Sequence, residues 1–79
     1  MQIEMKEVHS SQIHSVGHDP DTNTLAIRFK GVAGPGGLYH YPNVTAEQFK
    51  TFSSAKSLGK YFYAHIKGHK DHPHKKINE

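Results

Sequence analysis

The chain has no cysteine, which excludes a disulfide frame and removes thiolate as metal ligand or nucleophile. No run approaches the ~20 apolar residues that a membrane helix requires, and no apolar stretch follows Met1 as it would in a secretory leader. These absences lead to the expectation of a cytoplasmic protein with no membrane partner. Carboxylates are also in the minority: seven Asp and Glu stand against ten Lys and Arg, so the formal charge is +3 with the eight histidines neutral. The balance favours anionic partners but is milder than a dedicated nucleic-acid arm would show. Because histidine titrates near neutrality, anion binding is expected to strengthen on mild acidification.

Seventy-nine residues make one domain, and a domain of that size buries only ~60% of the surface its unfolded chain exposes. The core must be small, and an elaborate catalytic cleft is not expected. Four tyrosines and four phenylalanines supply its bulk, while a mean hydropathy of −0.73 shows that part of the chain is solvated. The obvious part is 69–79, with Pro73, one aliphatic residue in Ile77, and alternating Lys and His; the expectation is a domain over 1–68 and a disordered His- and Lys-rich tail over 69–79.

Along the chain, Ile3 and Met5 alternate with Glu4 and Lys6 as in an edge strand that Val8 extends. Ile13 to His18 reads as the next strand, with His14, Val16 and His18 on one face and Ile13, Ser15 and Gly17 on the other. Asp19-Pro20-Asp21-Thr22-Asn23 is a cluster of turn formers and supplies a hairpin loop. Thr24 to Lys30 alternates cleanly, with Leu25, Ile27 and Phe29 inward and Ala26, Arg28 and Lys30 outward. The glycine-rich stretch Gly31 to Gly37 reads as a flexible connection able to act as a lid. Leu38 to Tyr41 is a strand that places Tyr39 and Tyr41 on one face and ends at Pro42, which cannot donate to a ladder.

Helices follow. Thr45 with Gln48 three residues on forms a capping box, with Val44 and Phe49 spaced for a hydrophobic staple. Phe49 and Phe52 give this helix one apolar stripe. A second helix is expected from Ser57, whose hydroxyl can cap the amide of Gly59 or Lys60, to Gly68, with Leu58, Phe62 and Ile66 as its buried face. The fold class is therefore α+β: an antiparallel meander of three to four strands followed by two helices packed on one face. Its exposed edges, Ile3–Val8 or Leu38–Tyr41, make a homo-oligomer an expected partner state.

Ser11 with Ile13, Val16-Gly17-His18-Asp19-Pro20, Thr24-Leu25-Ala26-Ile27-Arg28-Phe29, Tyr39-His40-Tyr41, Ala55-Lys56-Ser57-Leu58-Gly59-Lys60-Tyr61-Phe62 and Ile66-Lys67 together closely resemble the KTSC domain, from about Val8 to Gly68. That family is named for a short domain at the C-terminus of some lysyl-tRNA synthetases and includes free-standing small proteins of bacteria and their phages. The resemblance implies a binding domain, with RNA suggested by the company it keeps. Val32 to Gly36 reads as an insertion, His18 stands where Tyr is usual, and Tyr63 stands where Asn is usual.

Several residues are candidates for chemistry. Ser57-Leu58-Gly59-Lys60 offers free helix-start amides, a glycine that admits close approach, a full charge and a hydroxyl, which suits a phosphate; the other reading is an ordinary cap with a glycine for packing. Tyr39 and Tyr41 can stack bases, with Arg28, Lys30 and His40 supplying backbone charge. Alternatively both rings lie under the helices, as a small core demands, and His40 faces the other way. His65 and Tyr61, one turn apart, lack a partner to complete a nucleophilic site, so catalysis is not expected. His69, His72 and His74 are not spaced as an organised metal site, and no cofactor is implied.

The expected function is thus a small non-enzymatic module that binds nucleic acid, RNA foremost, through Arg28, Lys30, Tyr39, His40 and Tyr41. The alternative is a pocket for a phosphate-bearing nucleotide formed by Ser57, Gly59, Lys60, His65 and Lys67, which in a phage setting would sequester a host signal. A third possibility is a protein-interaction module using the sheet edge.

Overall fold

The alternation of apolar residues in the first half of the chain becomes an antiparallel sheet, and the 3.6-residue spacing of the second half becomes its cover. The computed structural model describes residues 3–77. The elements are β1 (Lys6–Glu7), β2 (Ile13–Asp19), β3 (Thr24–Lys30), β4 (Pro35–Tyr41), α1 (Ala46–Ser53), α2 (Leu58–His65) and β5 (Lys75–Ile77). They form an α+β fold in which the sheet order is β1-β2-β3-β4-β5 with every neighbouring pair antiparallel. The sheet has five strands, more than the three to four expected.

Leu25 and Ile27 of β3, Tyr41 of β4, Phe52 of α1 and Leu58, Phe62 and Ile66 on one side of α2 and its end meet in one buried cluster. β2 departs from simple alternation. Its pairing with β3 shifts between Ile13 and Ser15, and the extra residue of this bulge lets both Ile13 and Val16 enter the core, although strict alternation assigns them to opposite faces.

The opposite face of the sheet is also covered in part. Gly17 follows Val16, so its missing side chain would point away from the helices. A Cβ there would lie 2.2 Å from the Glu4 carbonyl oxygen and 2.9 Å from a methyl of Ile3. Residues 3–5 therefore rest directly on Gly17, and only glycine admits them.

The turns are built as their residues dictate. Asp19 accepts from the Asp21 amide through Oδ1 at 3.0 Å, and Asn23 adopts a positive φ of 52°, which asparagine tolerates. The connection between β3 and β4 is shorter than the glycine-rich stretch: Pro35, Gly36 and Gly37 already belong to β4. Gly31 closes the remaining loop by donating to the Gly34 carbonyl at 2.6 Å, with Gly34 at φ 147°. The lid expected over Gly31–Gly37 thus reduces to a four-residue turn.

Both halves of the Thr45–Gln48 capping box are present at the start of α1. Ser57 caps α2 by accepting from the Lys60 amide at 3.3 Å. After α2 the chain turns at Gly68, whose φ of 77° is the left-handed conformation common past a helix end.

The C-terminal segment is the largest departure from expectation. Instead of a disordered tail, residues 69–77 return to the sheet, with β5 pairing Leu38, Tyr39 and His40 with Ile77, Lys76 and Lys75; residues 78 and 79 lie outside the described residues. The return is fixed before the strand begins. His72, 8% exposed, donates through Nδ1 to the Pro42 carbonyl at 2.8 Å, and Asn43 Nδ2 donates to the Asp71 carbonyl at 2.8 Å. Leu38–Tyr41 is consequently an interior strand, not an exposed edge; the outer strands are β1 and β5.

Candidate functional site: an aromatic and basic cleft

The return of residues 69–77 creates a cleft of about 430 Å³ between the sheet and the end of α2. The sheet contributes Phe29, Gly37, Tyr39 and Tyr41, and α2 contributes Phe62 and Tyr63. The other wall is the C-terminal segment itself, with Lys67, Gly68, His69, His72, Pro73 and His74. Among the described residues no carboxylate lines it. The aromatic rings are held by one another: Phe29 meets Tyr39 edge-on at 5.7 Å and Phe62 at 5.5 Å, and Tyr41 meets Phe62 at 5.3 Å.

The side chains nearest solvent are the ones able to contact a ligand. Tyr63 is 50% exposed, and the Lys67 ammonium lies 4.6 Å from the centre of its ring, a cation–π contact that parks a positive charge at the mouth. The His74 ring stands edge-on to Tyr39 at 5.8 Å. Lys76, which pairs with Tyr39 across β4 and β5, shares Tyr39's face of the sheet. Tyr41 is a different case. It is 4% exposed, and burial, followed by the neighbouring Tyr39 and Tyr63 phenols, pushes its own phenol well above the ordinary value. It stays neutral and serves the core.

The structure separates the residues that sequence reasoning grouped together. Tyr39 and Tyr41 face the helices, whereas His40, the residue between them, faces the opposite side with Lys75 paired beside it. Burial lowers the His40 pKa, and the positive charges around it, Lys75 among them, lower it further. Arg28 donates through Nη1 to the Gly36 carbonyl at 2.9 Å, which ties it to β4, and Lys30 is exposed at the end of β3. Arg28, Lys30 and His40 therefore do not join the tyrosines in a single surface.

The helix-start group is divided as well. Ser57 is occupied as a cap and Lys60 is exposed, but Gly59 is buried and the Gln12 side chain packs where an approaching anion would have to come: a Cβ on Gly59 would lie 2.8 Å from Gln12 Oε1. The glycine serves packing. His65 lies against Tyr61 with ring centres 4.5 Å apart and the planes tilted by 41°, on the side of α2 that meets Val44 and Gln48. Of that group only Lys67 reaches the cleft. His69, His72 and His74, which line it, were not among the expected ligand contacts because the stretch carries no periodicity.

Two further features bear on function. His18 stacks on Phe49 at 5.1 Å with the rings 13° apart and bonds through Nε2 to the Val44 carbonyl, so it joins β2 to the start of α1. A second hollow of about 430 Å³ lies beside it, between β1, β2 and α1. Among the described residues no helix is long and apolar enough to cross a membrane, and no three His, Asp or Glu side chains stand together as a metal site.

Comparison with known proteins agrees with this architecture. Residues 9–69 match the KTSC domain, and the chain belongs to that family. A protein of Tsukamurella paurometabola is 36% identical over 63 residues, which is 80% of this chain and 88% of that protein. One from Stutzerimonas stutzeri is 37% identical over 60 residues, 73% of this chain and 79% of the relative. The crystal structure of a KTSC domain protein from Yersinia pestis has a TM-score of 0.83 at 35% identity, covering 98% of this chain and all of the other. The family match ends at His69, partway along the C-terminal wall. His72, Pro73 and His74 lie beyond it.

Proposed function

We propose that this KTSC domain is a non-enzymatic cytoplasmic module that binds RNA by taking a nucleotide unit into the cleft between β4, α2 and residues 69–74. One observation carries the reading: among the described residues, the exposed Tyr63 and Lys67, the half-buried Tyr39 and the exposed His69 and His74 line one open hollow that no carboxylate enters. A base has a π-face for Tyr39 or Tyr63 to stack on, and stacking of this kind is tolerant of sequence. A phosphate has oxygens for Lys67, His69 and His74. The volume suits a small-molecule site and not a long groove, so few phosphates are engaged at once.

Fluorescence anisotropy of labelled single-stranded RNA at several salt concentrations tests this. Saturable binding is expected, with a log–log salt slope near −0.7 for each phosphate engaged and a total of one or two. Tyr63→Ala and Lys67→Ala, both at exposed positions, are expected to weaken it. Binding that ignores both substitutions, or a slope that counts many phosphates, would move the site away from the cleft.

A further inference from the structure

We infer that the cleft recognises a phosphate monoester carried by a single nucleotide, either free in solution or at the phosphorylated end of an RNA strand; this rests on the reading of the cleft as a nucleotide site. The first argument is the arrangement of donors. Lys67, His69 and His74 come from one short stretch and are all exposed, and all three line the same hollow. A monoester presents three terminal oxygens and between one and two negative charges near neutral pH. An internal diester presents two such oxygens and one charge, with its other two oxygens bonded to chain on either side. Three donors from one wall match the monoester. Asp71, the one acid between Lys67 and Ile77, does not line the cleft, so among the described residues no carboxylate there repels the second charge.

The second argument is shape. An internal nucleotide needs room for its backbone on both sides. Here the β4–β5 pairing backs the sheet side, and buried Phe62 underlies the hollow. The His72 bond to Pro42 and the Asn43 bond to Asp71 tie the C-terminal wall back to the end of β4. About 430 Å³ is at the small end of ligand sites, enough for one base and its phosphate. A terminal nucleotide, which carries chain on one side only, suits so short a hollow.

The test is calorimetric titration of the full chain with adenosine, adenosine 5′-monophosphate, the methyl ester of that phosphate, inorganic phosphate, and one short RNA prepared with a 5′-phosphate and with a 5′-hydroxyl. The monophosphate is expected to bind at least about tenfold more tightly than the methyl ester, adenosine or inorganic phosphate, in line with the loss of a charge-assisted contact. Lys67→Gln and His69→Gln are expected to abolish that preference while leaving thermal unfolding unchanged. A phosphorylated strand that binds more tightly than the free monophosphate identifies strand ends as the source; equal affinity identifies the free nucleotide. Equal binding of monophosphate and methyl ester, or of the two strands when the free monophosphate does not bind, overturns the monoester inference and leaves the nucleotide site standing. Binding by none of the nucleotides or strands overturns both.

Discussion

The His72 ring and the Pro42 carbonyl meet at 2.8 Å across 30 positions of sequence. A carbonyl oxygen can only accept, so Nδ1 carries the proton. This contact and the adjacent Asn43–Asp71 bond hold the chain between α2 and β5, and with it one wall of the cleft.

Replacing His72 with alanine removes a nearly buried ring and leaves a half-buried carbonyl without its donor. The expected loss is about 1–3 kcal/mol, read by urea unfolding, with faster amide exchange at Lys75–Ile77 and little change in β2 or β3. If the β5 amides keep their wild-type exchange rates, strand pairing alone holds the segment.

Gly17 and Gly59 are both buried, yet alanine at the two sites has different consequences. At Gly17 the new Cβ meets the Glu4 backbone at 2.2 Å, while at Gly59 it meets the far end of the Gln12 side chain at 2.8 Å. A side-chain end swings aside and a backbone carbonyl in a packed segment does not. Gly17→Ala is expected to cost about 1–3 kcal/mol by overpacking and to displace residues 3–5, visible as changed NMR shifts at Met5. Gly59→Ala is expected to cost less than Gly17→Ala, aided by alanine's helix propensity; a larger loss at Gly59 would mean that Gln12 is fixed.

The elements read correctly from sequence are those whose signals are local. Leu25 and Ile27 of β3 show a period of two, although Ala26, expected outward, is fully buried on the covered far face; Leu58, Phe62 and Ile66 show their period of four, and Thr45 with Gln48 specifies a helix start within four residues. The bulge at Ile13 and Ser15 was hidden because a skipped residue leaves both neighbours plausible under strict alternation. β5 was missed for a stronger reason: Lys75-Lys76-Ile77 has no apolar face of its own, and its order comes from backbone pairing with β4 and from bonds made by His72 and Asn43 to distant partners. The cleft inherited that difficulty. Its floor of Phe29, Tyr39 and Phe62 was legible as core, but its basic wall lies in the stretch that composition marks as solvated.

His40 gives the fold a pH dependence with a definite sign. Burial and nearby positive charge hold its folded pKa below the ordinary 6.5, so below that value the unfolded chain binds the proton more readily than the folded one. Its contribution to stability is present above pH 6.5 and is lost as pH falls toward and through the lowered folded value. Because His40 pairs with Lys75, protonation places two positive charges side by side on β4 and β5. Protection of the β5 amides, corrected for the intrinsic exchange rate, is expected to fall as pH drops below 6.5, and His40→Gln to flatten that response. A response unchanged by the substitution would assign it to another histidine.

The sequence alone grouped Ser57, Gly59, Lys60, His65 and Lys67 as one phosphate pocket, which the fold divides between the start of α2 and the cleft at Lys67, and paired substitutions separate the two places. Ser57→Ala removes a cap whose loss costs about 0.5–2 kcal/mol, while Lys60→Ala removes an exposed charge with no partner role in the cap beyond its backbone amide. Neither touches the cleft. Both are expected to leave nucleotide affinity within about twofold of wild type, although Ser57→Ala lowers the unfolding midpoint. Lys67→Ala is expected to do the reverse, weakening affinity by roughly tenfold, the scale of one lost charge-assisted contact, with stability nearly unchanged because its cation–π contact to Tyr63 is exposed. Measuring affinity and unfolding on the same three variants makes the assignment: a tenfold loss with Lys60→Ala and none with Lys67→Ala would place the phosphate at the helix start, where Gln12 would then have to move off Gly59 to admit it.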